Sequence, residues 1–214
     1  MRDRWGRLAP LAGLVFAVLL VVAFLGGSSP KSDASAGSVV AFYVKHHTGQ
    51  NVSGYALAYS AVFLLFFAAV LRSRLGSGSR SDGLMSLGFG GAVVLAIGLA
   101  VAAVSTLALT DVPTKISPIS EQALNVVSND FPFAFIQIGM AAFFVGYGIA
   151  IVRTGALARW LGWVAIVLAI LAAVPMIFWF ALLGLPAWSA IVGVLLFIRE
   201  GRAPAPPAAA TQTP

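Results

Sequence analysis

The sequence predicts an all-α fold, a polytopic membrane protein built as a bundle of six transmembrane helices. Three observations carry this. Of the 214 residues, 60% are hydrophobic and only 9% are charged. Globular chains hold about 45–50% apolar and about 25% charged residues. A water-facing surface needs roughly a quarter to a third charged residues, which excludes a soluble enzyme, a nucleic-acid-binding domain and a disordered chain. Secondly, long stretches carry no Asp, Glu, Lys, Arg or His. Thirdly, the basic residues fall in alternate loops.

A bilayer core about 30 Å thick takes about 20 apolar residues as helix. The spans then read 8–26, 54–71, 84–110, 131–152, 160–176 and 180–198. The last two come from one uncharged run, Trp160 to Ile198, too long for a single crossing. Pro175 places the turn near Pro175 to Trp179, because proline lacks an N–H and disfavours helix in the residue before it. Gly184 and Pro186 predict a kink further on. The first stretch could also be a signal peptide, with Ala34-Ser35-Ala36 as a cleavage-like motif. It exceeds the usual ~7–15-residue signal core, and the motif lies too far downstream, so the first stretch is assigned as a span. Residues 203–214, rich in proline and alanine, predict a disordered cytoplasmic tail.

Charge sets the orientation. Arg2, Arg4, Arg7, Arg72, Arg74, Arg80, Arg153, Arg159, Arg199 and Arg202 fall on one side of the predicted membrane. Lys31, Lys45 and Lys115 fall on the other, with Asp33, Asp111, Glu121 and Asp130. The positive-inside rule makes the arginine side cytoplasmic. Both termini are then inside, as an even number of spans requires. Localisation in the plasma (inner) membrane follows. Trp5, Trp160 and Trp163 fall near the cytoplasmic interface and Trp179 near the outer one, where an indole is favoured.

The first and third loops, both outer, each predict a short amphipathic helix. In the third, Ser117 is an N-cap and Pro118 the first helical residue. Ile119, Ala123, Val126 and Val127 then form an apolar face, with Glu121, Asn125, Ser128 and Asn129 opposite. In the first, the helix covers Ala34 to His47. It holds His46 and His47, the chain's two histidines. Adjacent helical residues point about 100° apart, so this pair does not readily share one metal. With Glu121 and Asp130 they make the polar candidates on the outer face.

The run from Ser32 to His47, the span ending Leu71-Arg72, and the stretch Arg153-Thr-Gly-Ala-Leu-Ala-Arg-Trp-Leu-Gly-Trp163 resemble a group of uncharacterised actinobacterial six-span integral membrane proteins. The resemblance implies six spans and no known activity, and it transfers no functional residue.

Ionisable groups inside the membrane mark relays, ion paths and catalytic centres, and the assigned spans contain none. That leaves no intramembrane histidine for haem or for a serine–histidine pair, and no lysine for a Schiff base. No phosphate-cradling loop motif occurs. With no cysteine, disulfides, thiolate metal sites and cysteine nucleophiles are excluded. No cofactor, metal or nucleic acid is expected. The expected partners are membrane lipids, a second copy of the chain or another membrane protein.

Polar residues assigned to the spans include Tyr55, Tyr59, Ser60, Ser105, Thr106 and Tyr147. Gln137 is the one carboxamide among them. It is expected to hydrogen-bond across helices to Ser105 or Thr106, which lie at a similar depth. Two small-residue stripes, Gly88, Ala92, Ala96, Ala100 and Ala142, Gly146, Ala150, predict close packing of spans three and four. The function expected is a non-enzymatic scaffold or sensor with ordered outer loops. The alternatives are a small transporter or channel for a neutral or lipophilic solute, and a membrane enzyme with an outer-loop site.

Overall fold

A backbone stripped of water must satisfy its own N–H and C=O groups, and a helix does so within one segment. The computed structural model describes residues 6, 8–26, 29–75, 82–111, 113 and 115–202. These form a 3-10 turn, Ala9–Leu11, and six helices. They are α1 (Ala12–Leu25), α2 (Ala36–Leu75), α3 (Asp82–Asp111), α4 (Pro118–Thr154), α5 (Arg159–Ala173) and α6 (Phe178–Arg202). Arg2, Arg4, Trp5, Arg7, Arg80 and the tail 203–214 lie outside the described residues.

The helices pack as a ring in chain order, with α6 returning to α1 and α2 also touching α4. One end of the bundle carries Arg72, Arg74, Arg153, Arg159 and Arg199. The opposite end carries the segment 29–35 and the first turns of α2 and α4. These are called the arginine end and the strap end.

By length and composition, α2, α3, α4 and α6 are able to cross a membrane, while the apolar helices Ala9–Leu25 and Arg159–Ala173 are shorter. Every helix turns large apolar side chains away from the protein. Val18, Phe66, Val104, Ile138, Ile170 and Leu183, one from each helix, are 54–67% exposed. An apolar belt this continuous exceeds what a protein surface in water tolerates, and it marks a membrane-embedded protein.

The two outer amphipathic helices are not separate elements. The first is the start of α2, which bends at His46 (φ −108°, ψ 19°) and continues to Leu75. The second is the start of α4. Ser117 caps it, its side chain accepting from the Ser120 N–H, and no break follows until Gly155 ends the helix at φ 63°. Pro132 lies inside α4 and removes one backbone bond, but packing on both sides keeps the helix continuous. At 1.5 Å per residue, α2 and α4 run about 55–60 Å, well beyond a core about 30 Å thick.

The facing of the α4 start is also the reverse of the amphipathic expectation. Glu121 and Asn125 are fully buried, whereas Ile119 is 75% and Val127 51% exposed. The polar side chains turn inward because the segment 29–35 lies there with backbone carbonyls needing donors. In the same region α5 ends at Ala173 and α6 begins at Phe178, with the turn at residues 174–177 between them.

The tightest contact in the bundle joins α3 to α4. A Cβ added at Gly91 would lie 2.3 Å from the Phe143 backbone nitrogen. One at Gly139 would lie 2.3 Å from the Leu95 nitrogen, and one at Gly146 2.3 Å from the Gly88 nitrogen. The seam on α3 is therefore Gly88, Gly91, Leu95 and Gly98, spaced three and four apart. The four-spaced stripe read from sequence is only partly right: Ala92 and Ala96 are buried, but Ala100 is exposed. Spacings that alternate between three and four residues suit the left-handed packing common in membrane bundles.

Beside this seam the arginine half is filled by rings. Trp188 of α6 meets Phe144, Phe143 and Phe67 edge-on, at centroid distances of 5.5, 5.8 and 6.4 Å. Its indole N–H donates to the Leu161 carbonyl at 3.0 Å. The Tyr147 hydroxyl donates to the Ala68 carbonyl at 2.8 Å.

Gly91→Ala should therefore destabilise the protein by about 1–3 kcal/mol, since no flexible atom can give way. Gly90→Ala, with nothing within 4 Å of the added carbon, should be neutral or stabilise by up to about 1 kcal/mol through helix propensity. Thermal unfolding in detergent compares the two, and equal melting temperatures would contradict the seam.

Candidate functional site

The polar side chains of the strap end do two jobs. Some fix the segment 29–35 onto α4. The Asn125 amide nitrogen donates to the Pro30 and Lys31 carbonyls at 3.3 and 3.2 Å. Asn129 donates to the Pro30 carbonyl at 2.9 Å and accepts from the Ser29 hydroxyl at 2.8 Å. Gln122 donates to the Ala34 carbonyl at 2.8 Å. The α4 face that carries these residues thus serves as the donor row for a segment with no regular structure of its own.

The Tyr43 hydroxyl of α2 reaches the Asn125 side-chain oxygen at 3.4 Å. Glu121, one turn earlier on α4, is fully buried, and neither carboxylate oxygen has a hydrogen-bond partner. Burial strips its water and holds its pKa above the ordinary 4.5. Burial also raises the Tyr43 phenol, and the nearby Glu121 charge adds to that. Burial without a partner thus favours the protonated acid over the carboxylate.

Below the strap lies a cavity of about 410 Å³ between α1, α2, α3, α4 and α6. Its polar lining is Ser29, Gln50, Ser53, Thr106, Ser128 and Asn129, and Leu57, Leu99, Ile136 and Leu182 help to form its apolar walls. None of its lining residues is charged. Gln50 is 4% exposed, and its amide nitrogen has no hydrogen-bond partner. Ser53 is engaged, donating to the Ala23 carbonyl at 2.6 Å. Towards the arginine end the cavity gives way to the closely packed rings around Trp188.

The four outer-face candidates are not assembled into one site. His46 and His47 are exposed. His46 Nδ1 lies 3.0 Å from the Phe42 carbonyl, and the His47 ring lies beside the Asn51 amide, 3.3 Å from Nε2. Asp130 is exposed and accepts from the Ser32 hydroxyl at 3.4 Å. Glu121 alone is buried. Among the described residues, no three of His, Asp and Glu gather where they could hold a metal ion.

The expected Gln137 contact is not formed. Gln137 is half-buried and has no hydrogen-bond partner among the described residues, and Ser105 and Thr106 do not reach it. Polar links between helices lie elsewhere, among them the Thr110 hydroxyl of α3, which sits 3.0 Å from the Asn51 side-chain oxygen of α2. Tyr55 and Tyr59, assigned to the span interior, instead face outward at 57% and 59% exposure. The residues that matter here, Gln50, Asn51 and Ser53, stand just before the second predicted span. The i, i+3 spacing of Gln50 and Ser53, which puts both on one helix face, was the available signal.

Two outcomes follow. The neutral acid at Glu121 favours the fold fully below pH 4.5, and that contribution is lost as pH rises through the raised pKa. Glu121→Gln should therefore raise the melting temperature at neutral and higher pH and flatten its fall with pH. A steeper fall would contradict the buried neutral acid. Gln137→Leu should leave the melting temperature unchanged or raise it, because no hydrogen bond is lost; a clear drop would reveal a partner.

The chain matches no protein-family model, no curated protein and no solved structure, so its residues and geometry carry the functional reading.

Proposed function

We propose that the protein is a six-span integral protein of the plasma membrane with both termini cytoplasmic, acting without catalysis as a scaffold or sensor at the outer face. The arginine end is the cytoplasmic one by the positive-inside rule. The shorter apolar helices, about 22–26 Å long at 1.5 Å per residue, cross a locally thinner or adapted bilayer.

The supporting observation is the difference between the two halves of the bundle. The interior of the arginine half is filled by Phe67, Phe143, Phe144, Tyr147 and Trp188, each 0–2% exposed, and its two clefts, of about 580 and 650 Å³, are open ones at the surface. The strap half holds the cavity and an ordered polar cover. A cavity at the strap end suits recognition there, and the ring-filled interior of the other half opposes a continuous path. The enzyme reading loses its support because His46, His47, Glu121 and Asp130 are not gathered. A transporter for a neutral solute keeps one observation in its favour, the cavity set among the helices.

The chain has no cysteine, so single introduced cysteines report cleanly. On intact cells, Ser35→Cys and Ser120→Cys should react with an impermeant thiol reagent, and Ser73→Cys should not. Purified protein in vesicles should leave glycerol permeability at the level of protein-free vesicles. Labelling at position 73 overturns the orientation, and protein-dependent glycerol flux overturns the scaffold or sensor reading in favour of the transporter.

A further inference from the structure

We propose that the strap-end cavity is a binding site for a neutral amphiphile, a short apolar chain with a hydroxyl or carboxamide head. The inference deepens the sensor reading and rests on it. Three features of the cavity point to this ligand class.

Size comes first. About 410 Å³ lies at the small end of the range for small-molecule sites, about 300–1,000 Å³. Charge is the second feature. With no ionised side chain in the lining, an anion or cation would enter without a counter-charge and lose its water, a cost that excludes it.

The third feature is hydrogen-bonding capacity left over inside the protein. The Gln50 amide nitrogen is buried, lines the cavity and has no partner. An unsatisfied buried donor is costly, so a ligand that fills it gains affinity. Two backbone carbonyls that lack their usual helix donor accompany it. Pro132 and Pro186 lie inside α4 and α6, and each lacks the N–H that would bond the carbonyl four residues earlier. Those carbonyls belong to Ser128 and Leu182, and both residues line the cavity. Two helices thus lose a backbone bond at the same cavity.

A hydroxyl or a primary carboxamide both accepts and donates. It can take the Gln50 N–H and give its own hydrogen to a freed carbonyl while its chain lies against Leu57, Leu99 and Ile136. An ester or ether head can only accept, and an alkane can do neither. The same chemistry could come from a free small alcohol or from a lipid with a free hydroxyl.

The test uses the full chain carrying Thr106→Cys, a cavity position, in detergent micelles. Both ends are then open to reagent, so the result does not depend on orientation. The rate of alkylation by a small thiol reagent is measured with 1-octanol, with n-octane, or with dioctanoylglycerol in the micelle. Thr48→Cys, exposed on α2 away from the cavity, is the control. Octanol should slow the cavity cysteine saturably by at least about tenfold and leave Thr48→Cys unaffected, while octane should slow it less than about twofold. Protection by octanol alone identifies a free small amphiphile, and protection by dioctanoylglycerol identifies a hydroxyl-bearing lipid. Gln50→Leu, similar in size and apolar, should weaken octanol about tenfold, the loss of one good hydrogen bond. Equal protection by octanol and octane, or no protection by any of the three, overturns the proposal whether or not the Gln50 variant folds.

Discussion

The approach of α3 and α4 to backbone contact sets the geometry of everything around it. In lipid the hydrophobic effect does not drive helices together, so close packing must hold them. Gly88, Gly91 and Gly98 on one side, with Gly139 and Gly146 on the other, remove the side chains that would keep the axes apart. The space opened at Gly88 receives the ring of Tyr147, whose hydroxyl then reaches α2 at the Ala68 carbonyl. Phe143 and Phe144 are carried by the same turns of α4, and Trp188 closes on them from α6. One seam thereby places the aromatic plug that ties three further helices together.

That plug divides the bundle along its axis. Towards the arginine end, the rings fill the interior and leave only open clefts at the surface. Towards the strap end, α5 stops at Ala173, while α2 and α4 run on. The helices that remain there are held by sparse polar contacts, such as Thr110 on Asn51 and Ser53 on the Ala23 carbonyl. A cavity follows from this arrangement without any special element to create it. Its chemistry comes from two prolines, each removing one helix N–H, and one glutamine whose buried amide nitrogen has no partner, against the rule that buried polar groups are paired.

Glu121 breaks the same rule more severely. A short amphipathic helix in water would turn this carboxylate outward. Here the outer surface of the bundle is apolar, and the segment 29–35 brings backbone carbonyls against α4, so the face bearing Asn125 and Asn129 is drawn inward. Glu121 shares that face and is buried with it. That burial favours its protonated form, since a lone carboxylate without water or partner is costly to keep charged. The strap is thus fastened at the expense of one strained ionisable group.

Composition and charge placement were enough to predict an all-helical, membrane-embedded chain, because a backbone in lipid has few alternatives and the apolar runs are long. The turn before Phe178 was legible for a similar reason, since Pro175 interrupts helix by its own covalent structure. The burial of Gly88 and Gly146 was also legible, as small residues show in the sequence. Register was not. Whether Gly91 or Ala92 faces α4 depends on how two helices cross, and a stripe spaced by four looks as good in one dimension as a seam spaced by three and four. The extra length of α2 and α4 was hidden because polar residues end a membrane span but do not end a helix. The inward turn of Glu121 and Asn125, the idle Gln137 and the cavity around Gln50 were beyond any local pattern. They depend on which segment lies opposite, and only the tertiary structure brings Pro30 and Lys31 to Asn125, or α6 across from α2.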